Sequence, residues 1–200
     1  QGFTLATSQS IWPDHPEKVL ACARVFAEQY PNSARALIKA ILTASRFIEQ
    51  SPENRRSTAQ LLSASTYLDT PLDSIAPRLL GHYEDGLGNQ WQDPHALRLF
   101  DQGRANLPYL SDGMWFMTQF RRWGLLRDDP DYLALARQVQ QLELYREAAA
   151  ALDIQVPDEM RSSRLLDGKT WDGSDPAGYA RSFALNALAE SAAAALEESH

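Results

Sequence analysis

Strand-like segments in this chain fall mostly within its first 24 residues, and helical periodicity fills most of the remaining length. That imbalance constrains the fold more than any single motif. Gly2 to Thr7, GFTLAT, alternates apolar and small polar residues and reads as a short strand. Val19 to Arg24, VLACAR, predicts a second one. One or two strands cannot make a stable sheet, because each leaves a row of unpaired backbone groups. Such strands need partners, so the expectation is a piece of a longer protein. The opening QGFTLATSQS, which lacks an initiator Met, reads the same way.

From Asn32 the pattern turns helical. NSARALIKAILTASRFIEQ predicts a helix capped by Asn32 or Ser33, with Leu37, Ile38, Ile41, Leu42 and Ser45 on one face. Ser51-Pro52-Glu53-Asn54 caps a second helix, and Asp69-Thr70-Pro71 starts a third that runs through Ile75 to Leu80. GHYEDGLGNQWQDP is turn-rich and fits either a small hairpin or an irregular excursion. Helices are expected again in DPHALRLFDQG, SDGMWFMTQFRRWGLL, DPDYLALARQV and LELYREAAAALDI, with Ser111-Asp112 and Asp129-Pro130 as N-terminal signals. LLDGKTWDGSDP reads as a loop before an alanine-rich terminal helix over 176–198. In MWFMTQFRRWGLL, Trp115, Phe116, Gln119, Phe120 and Trp123 form a stripe read as a core or inter-helix face, and Arg121-Arg122 as its wet side.

With 19 basic and 26 acidic residues the formal charge is −7, which gives no general attraction to nucleic acid or to an anionic membrane. No stretch approaches the ~20 apolar residues of a membrane span. The single cysteine, Cys22, cannot form an internal disulfide; in its apolar run it is expected in the core. Catalysis is not expected. His15, His82, His95 and His200 do not pair at metal-ligand spacing, and no Gly-x-Ser-x-Gly or phosphate-binding glycine loop is present. No metal and no cofactor are predicted.

Ser10 to Arg24, SIWPDHPEKVLACAR, places a lone cation, Lys18, between a proline-stiffened turn and an apolar run. A lysine at such a strand start can lay its stem against protein and point its ammonium into a cleft. On spacing alone the alternative is a surface pair with Glu17, worth little.

The stretches GFTLAT, IWPDHPEKVL, YPNSARALIKAIL, LLGHYEDG, WFMTQFRRWGLL, LELYREAAAALDI and LLDGKTWDGSDPAGYARSFAL resemble, in order and over nearly all 200 residues, the C-terminal half of the nitrate- and bicarbonate-binding proteins of ABC transporters and their soluble sensor relatives. The resemblance implies the α-rich portion of an α/β, two-lobed, periplasmic-binding-protein-like (type II) fold. Residues 1–24 would be an inter-lobe strand and anion-site loop, and 25–200 the helical C-terminal part of a lobe. It further implies that Lys18, the lysine of the His-Pro-Glu-Lys motif, is a ligand for nitrate, with nitrite as the other candidate. Bicarbonate-binding relatives carry an acidic residue there. A small, weakly accepting anion needs one compact cation and a few donors to leave water. His15 would shape the turn or stand behind the ligand. NLPYLSDGMWFMTQFRRWGLL resembles the sensor branch more than the receptors, which more often carry a His near Asp112. The expectation is therefore a cytoplasmic nitrate sensor that sequesters an RNA-binding antiterminator, without itself touching nucleic acid. The alternatives are a periplasmic receptor serving an ABC permease, and an interaction fragment that binds no ligand alone.

Overall fold

A computed structural model describes residues 2–95, 97–166 and 168–183 of the chain. It is helix-rich with a few short strands, and it divides into two units. The first takes the chain up to Leu107 together with Leu144–Pro157; the second takes Pro108–Glu143 and the chain from Asp158 onward.

In the first unit a one-turn helix α1 (Ser8–Ile11) and a short α2 (Arg24–Gln29) precede the long α3 (Pro31–Gln50). Helix α3 starts at Pro31, ahead of the expected Asn32 or Ser33 cap. Proline suits the first helical position, because its φ is preset and its missing N–H would have no partner there. Ala34, Leu42 and Ser45 are buried along α3, while Leu37 and Ile41 of the predicted apolar face stay exposed. Helix α4 (Pro52–Ser63) is capped as expected: the Ser51 Oγ accepts the Asn54 N–H at 3.1 Å. Helix α5 (Leu72–Leu79) packs on α4 and buries Ile75. The turn-rich GHYEDGLGNQWQDP resolves into a hairpin, β1 (His82–Glu84) against β2 (Gln90–Gln92), with Tyr83 opposite Trp91 and the two rings stacked at 5.6 Å.

The helix expected in DPHALRLFDQG does not form. The backbone N–H groups of Leu99, Phe100 and Asp101 instead donate to the Glu49 carboxylate at 2.7, 2.9 and 2.7 Å. A tertiary acceptor has taken donors that would otherwise open a helix. The chain then kinks through a 3₁₀ turn at Asp101–Asn106, with Asp101, Gln102 and Gly103 all at positive φ. Gly103 is required there twice over: its φ is 90°, and the Ile154 side chain occupies the space a Cβ would need. Its carbonyl accepts the buried Tyr145 hydroxyl at 2.6 Å. Tyr145 lies on helix α8 (Leu142–Ala150), and further along the same segment the Leu152 carbonyl accepts Arg46 Nη2 at 3.0 Å.

The two opening strands are absent. Gly2–Thr7 and Val19–Ala23 run without regular structure; a single backbone bond, Thr4 N–H to the Glu84 carbonyl at 3.2 Å, ties the first to β1. No second strand shares their backbone groups among the described residues, and an unpartnered strand has nothing to hold it extended. Cys22 is consequently exposed rather than in the core, along with its neighbours Val19 and Leu20.

In the second unit α6 (Leu110–Arg122) packs against α7 (Tyr132–Val139) and α9 (Pro176–Arg181). The loop predicted at LLDGKTWDGSDP carries a small hairpin, β3 (Ser163–Arg164) against β4 (Thr170–Trp171). Three expectations change. Ser111 and Asp112 lie inside the first turn of α6 rather than before it, with Tyr109 at the cap position. Asp131, not Asp129, caps α7, accepting the Ala134 N–H at 3.0 Å. The buried face of α6 is Leu110, Ser111, Met114, Thr118 and Gln119, so Phe116, Phe120 and Trp123 of the aromatic stripe remain exposed. Nor is Arg121-Arg122 a wet face: Arg121 lies 3.8 Å from Asp129, and the Arg122 guanidinium sits 3.4 Å from the Phe183 ring centroid. Helix α9 ends at Arg181 with Ser182 at its cap, so the helix expected over 176–198 stops there among the described residues; positions from 184 on lie outside them.

Candidate functional site

The turn that carries Lys18 is built entirely in the first unit. Thr7 opens α1: its Oγ1 accepts the Ser10 N–H at 3.2 Å and donates to Asp93 Oδ2 at 3.0 Å, which fixes the turn to the loop after β2. Gln9 then clamps Asp14 from both sides, accepting its N–H at 2.9 Å and donating to its Oδ1 at 3.1 Å. The clamp holds Asp14 at φ 53°, a left-handed conformation that Asp tolerates better than most residues. Arg98 adds a longer ionic contact to Asp14 at 3.7 Å. Pro13 and Pro16 stiffen the chain on either side, and Pro16 biases His15 towards extended backbone.

His15 is the inward-facing member of the motif. Its N–H donates to the Trp12 carbonyl at 3.3 Å, its ring lies 6.2 Å from the Trp12 ring, and its side chain is only 20% exposed. Nδ1 is buried without a hydrogen-bond partner among the described residues, while Nε2 faces Glu17 Oε1 at 3.4 Å. The other oxygen, Glu17 Oε2, accepts from Lys18 Nζ at 3.1 Å and from the Lys18 N–H at 3.3 Å. The Lys18 ammonium, and after it the His15 ring, hold the Glu17 carboxyl below the usual carboxylate range. Lys18 itself is 95% exposed and Glu17 60%. The stem expected to lie against protein is therefore in solvent, because the apolar run after it is exposed too. The turn alone positions this lysine.

His15, Glu17 and Lys18 come together as one polar chain; His82 faces Gln92, and His95 stands behind the turn, its N–H donating to Asp93 and its ring facing Arg98. No group of three or more His, Cys, Asp or Glu able to hold a metal ion is present among the described residues. Sequence reasoning missed Gln9, Asp14, Asp93 and Arg98, which hold the turn in place. Only the Gln9–Asp14 proximity along the chain hinted at them; the contacts from Asp93 and Arg98 span 86 and 84 residues.

The second unit has its own polar centre. Arg161 meets Asp112 in a two-pronged pair, Nε to Oδ1 at 2.9 Å and Nη2 to Oδ2 at 2.7 Å, and its guanidinium lies 4.8 Å from the Tyr109 ring centroid. The Arg161 N–H donates to Ser111 Oγ at 3.1 Å. Burial pushes the Asp112 carboxyl up, and the guanidinium pulls it back only in part. A pair this enclosed and this fully engaged serves the fold; neither charge is free to take a ligand. No helix among the described residues is long and apolar enough to cross a membrane.

A model of the NMT1-like family matches residues 1–63, the span that contains the Lys18 turn. The nitrate/nitrite binding protein NrtA of Synechocystis is 31% identical over 194 residues, which is 94% of this chain and 43% of that protein. The bicarbonate transport ATP-binding protein CmpC of Synechocystis is 33% identical over 181 residues, 89% of this chain and 26% of that protein. The crystal structure of the periplasmic nitrate-binding protein NrtA from Synechocystis superposes with a TM-score of 0.82 at 30% identity, covering 90% of this chain and 48% of that one. The chain thus spans less than half the length of the NrtA proteins it matches. Over that span the chain is similar to these nitrate and bicarbonate transport proteins in sequence, and to the nitrate-binding protein in fold.

Proposed function

We propose that this chain is part of a nitrate receptor of ABC import, in which Lys18 supplies the cation that holds the anion. The observation that carries the reading is the likeness to a nitrate/nitrite binding protein over 94% of the chain, joined to a lysine at the His-Pro-Glu-Lys position. The chemistry supports it. Nitrate is a planar monoanion that accepts hydrogen bonds weakly, so a site for it needs a compact positive charge. Lys18 has one, its ammonium is open to solvent, and its partner among the described residues is the neighbouring Glu17. The remaining donors and the enclosure would come from the rest of a longer polypeptide. Capture is reversible binding with closure about a hinge, not turnover.

The relatives are a binding protein and transport ATPases, which supports the receptor over the cytoplasmic sensor and its antiterminator. Under the receptor reading the partner is a membrane permease and the compartment is extracytoplasmic. A second reading has its own support. The same span matches ATP-binding proteins of nitrate and bicarbonate import over about 90% of this chain, so the domain could be the anion-responsive part of such a subunit. The sequence encoded on either side separates the two: an ATPase domain gives the second reading, a signal sequence or lipidated cysteine the first.

Calorimetric titration of the full-length protein with nitrate tests the ligand assignment. Lys18→Ala is expected to weaken nitrate by about ten- to a hundredfold, the cost of losing one charge-assisted bond. Lys18→Glu, which sets two like charges together, is expected to abolish binding. Unchanged affinity in both would refute the role. The 200 residues alone are expected to bind weakly, and a micromolar isotherm from them would contradict a shared site.

A further inference from the structure

We propose that His15 is a parking place for the Glu17 carboxylate, drawing it off the Lys18 ammonium when an anion arrives. The inference rests on Lys18 being the nitrate ligand and assigns two neighbours a part in setting its affinity. Glu17 is the built-in competitor. Its Oε2 takes both Lys18 Nζ and the Lys18 N–H, so an incoming anion meets an ammonium that already has a counter-ion. A carboxylate is a stronger acceptor than nitrate, and one residue away it is always present. If it stayed, the anion would face a negative charge at the very group meant to hold it.

The other end of the same carboxylate shows where it can go. Glu17 Oε1 lies 3.4 Å from His15 Nε2, a contact longer than a full hydrogen bond and open to tightening. The His15 ring is held by its Trp12 neighbour and by its own backbone bond to Trp12, so Nε2 offers a fixed direction. Its buried Nδ1 has no acceptor to receive a hydrogen; a bare lone pair is cheaper there than an orphaned N–H, which puts the ring hydrogen on Nε2, facing Glu17. A rotation of the exposed Glu17 side chain moves the carboxylate from one donor to the other without backbone movement. The acid is then satisfied, and the ammonium is free.

Nitrate titrations of the full-length protein and five variants test this, with circular dichroism melts to confirm folding. Lys18→Ala tests the underlying reading by itself; if it leaves nitrate affinity unchanged, that reading falls and this one with it. Given the loss in Lys18→Ala, Glu17→Gln is expected to tighten nitrate about two- to fivefold, the range of an exposed ion pair. His15→Ala is expected to weaken it by a similar factor, and His15→Gln, which keeps a donor, to stay within about twofold of wild type. The decisive variant is the double one: His15→Ala with Glu17→Gln should bind as tightly as Glu17→Gln alone, since there is no carboxylate left to park. Equal weakening by His15→Ala with and without Glu17 would make His15 a purely structural residue and overturn the proposal. So would a Glu17→Gln that binds nitrate more weakly than wild type.

Discussion

In each unit of this molecule an acid on its longest described helix reaches a distant segment, and the two acids act differently. Glu49 on α3 gathers three neutral backbone N–H groups from a loop about 50 residues away. Asp112 on α6 meets a guanidinium 49 residues away. The first arrangement desolvates one charge and satisfies donors that have no other partner. The second desolvates two charges, and its value depends on their mutual geometry. Removing the Asp leaves a buried cation behind, whereas removing the Glu leaves neutral groups that water can reach. The second unit should therefore be the more sensitive to loss of its acid.

The largest expected effect is that of Asp112→Ala, about 3 kcal/mol of unfolding free energy in denaturant titrations. That is the low end for a broken buried pair, because 15% of Asp112 and 21% of Arg161 remain exposed. Glu49→Ala should cost about 2 kcal/mol, less than one full penalty for each of its three stranded donors. A Glu49→Ala loss larger than that of Asp112→Ala would reverse the comparison. Tyr145→Phe, which strands the Gly103 carbonyl in the first unit, is expected to cost about 1 kcal/mol.

Acid sharpens the contrast by sign. Asp101 in the first unit is held low, chiefly by its hydrogen bond with Arg104, so its contribution is present above its ordinary value near 3.8 and is lost as pH falls through its folded value. Asp112 is held high by burial, so its contribution is present below 3.8 and is lost as pH rises through its folded value. Unfolding curves from pH 7 down to 3 should show wild type losing ground to Asp101→Asn in the most acid range and gaining on Asp112→Asn as the pH falls. Slopes of the same sign would contradict these directions. The smallest effect should be Lys18→Ala on stability, below about 0.5 kcal/mol, since that ammonium is almost wholly in water. A larger loss would mean that the turn depends on Lys18 rather than carrying it.

Local pattern made much of the fold legible. The Ser51 cap, the hairpin at GHYEDGLGNQWQDP and the helices at α3, α7 and α8 all arise from period and turn chemistry within a few residues. The polar triplet His15, Glu17 and Lys18 is visible in the same way, since it lies within four positions. Features decided by distant partners could not be read. DPHALRLFDQG has helical periodicity, yet Glu49 takes its N–H groups. GFTLAT alternates like a strand and VLACAR is a short apolar run, yet no neighbouring strand pairs with either among the described residues. The α6 stripe has the look of a core face, and Gln119 is buried as that face requires, yet Thr118 outside the stripe went in while Phe116, Phe120 and Trp123 stayed out.

The amino-acid order by itself determined the Ser51 cap, which residues form the stiff bend and that a single lysine stands at its exit, because prolines, caps and short turns act through immediate neighbours. Only the folded chain decided that Asp93 and Arg98 anchor the bend and that Glu49 and Asp112 each gather a distant segment. Those outcomes depend on groups 49 to 86 residues apart meeting in space, and no local rule of sequence encodes such a meeting.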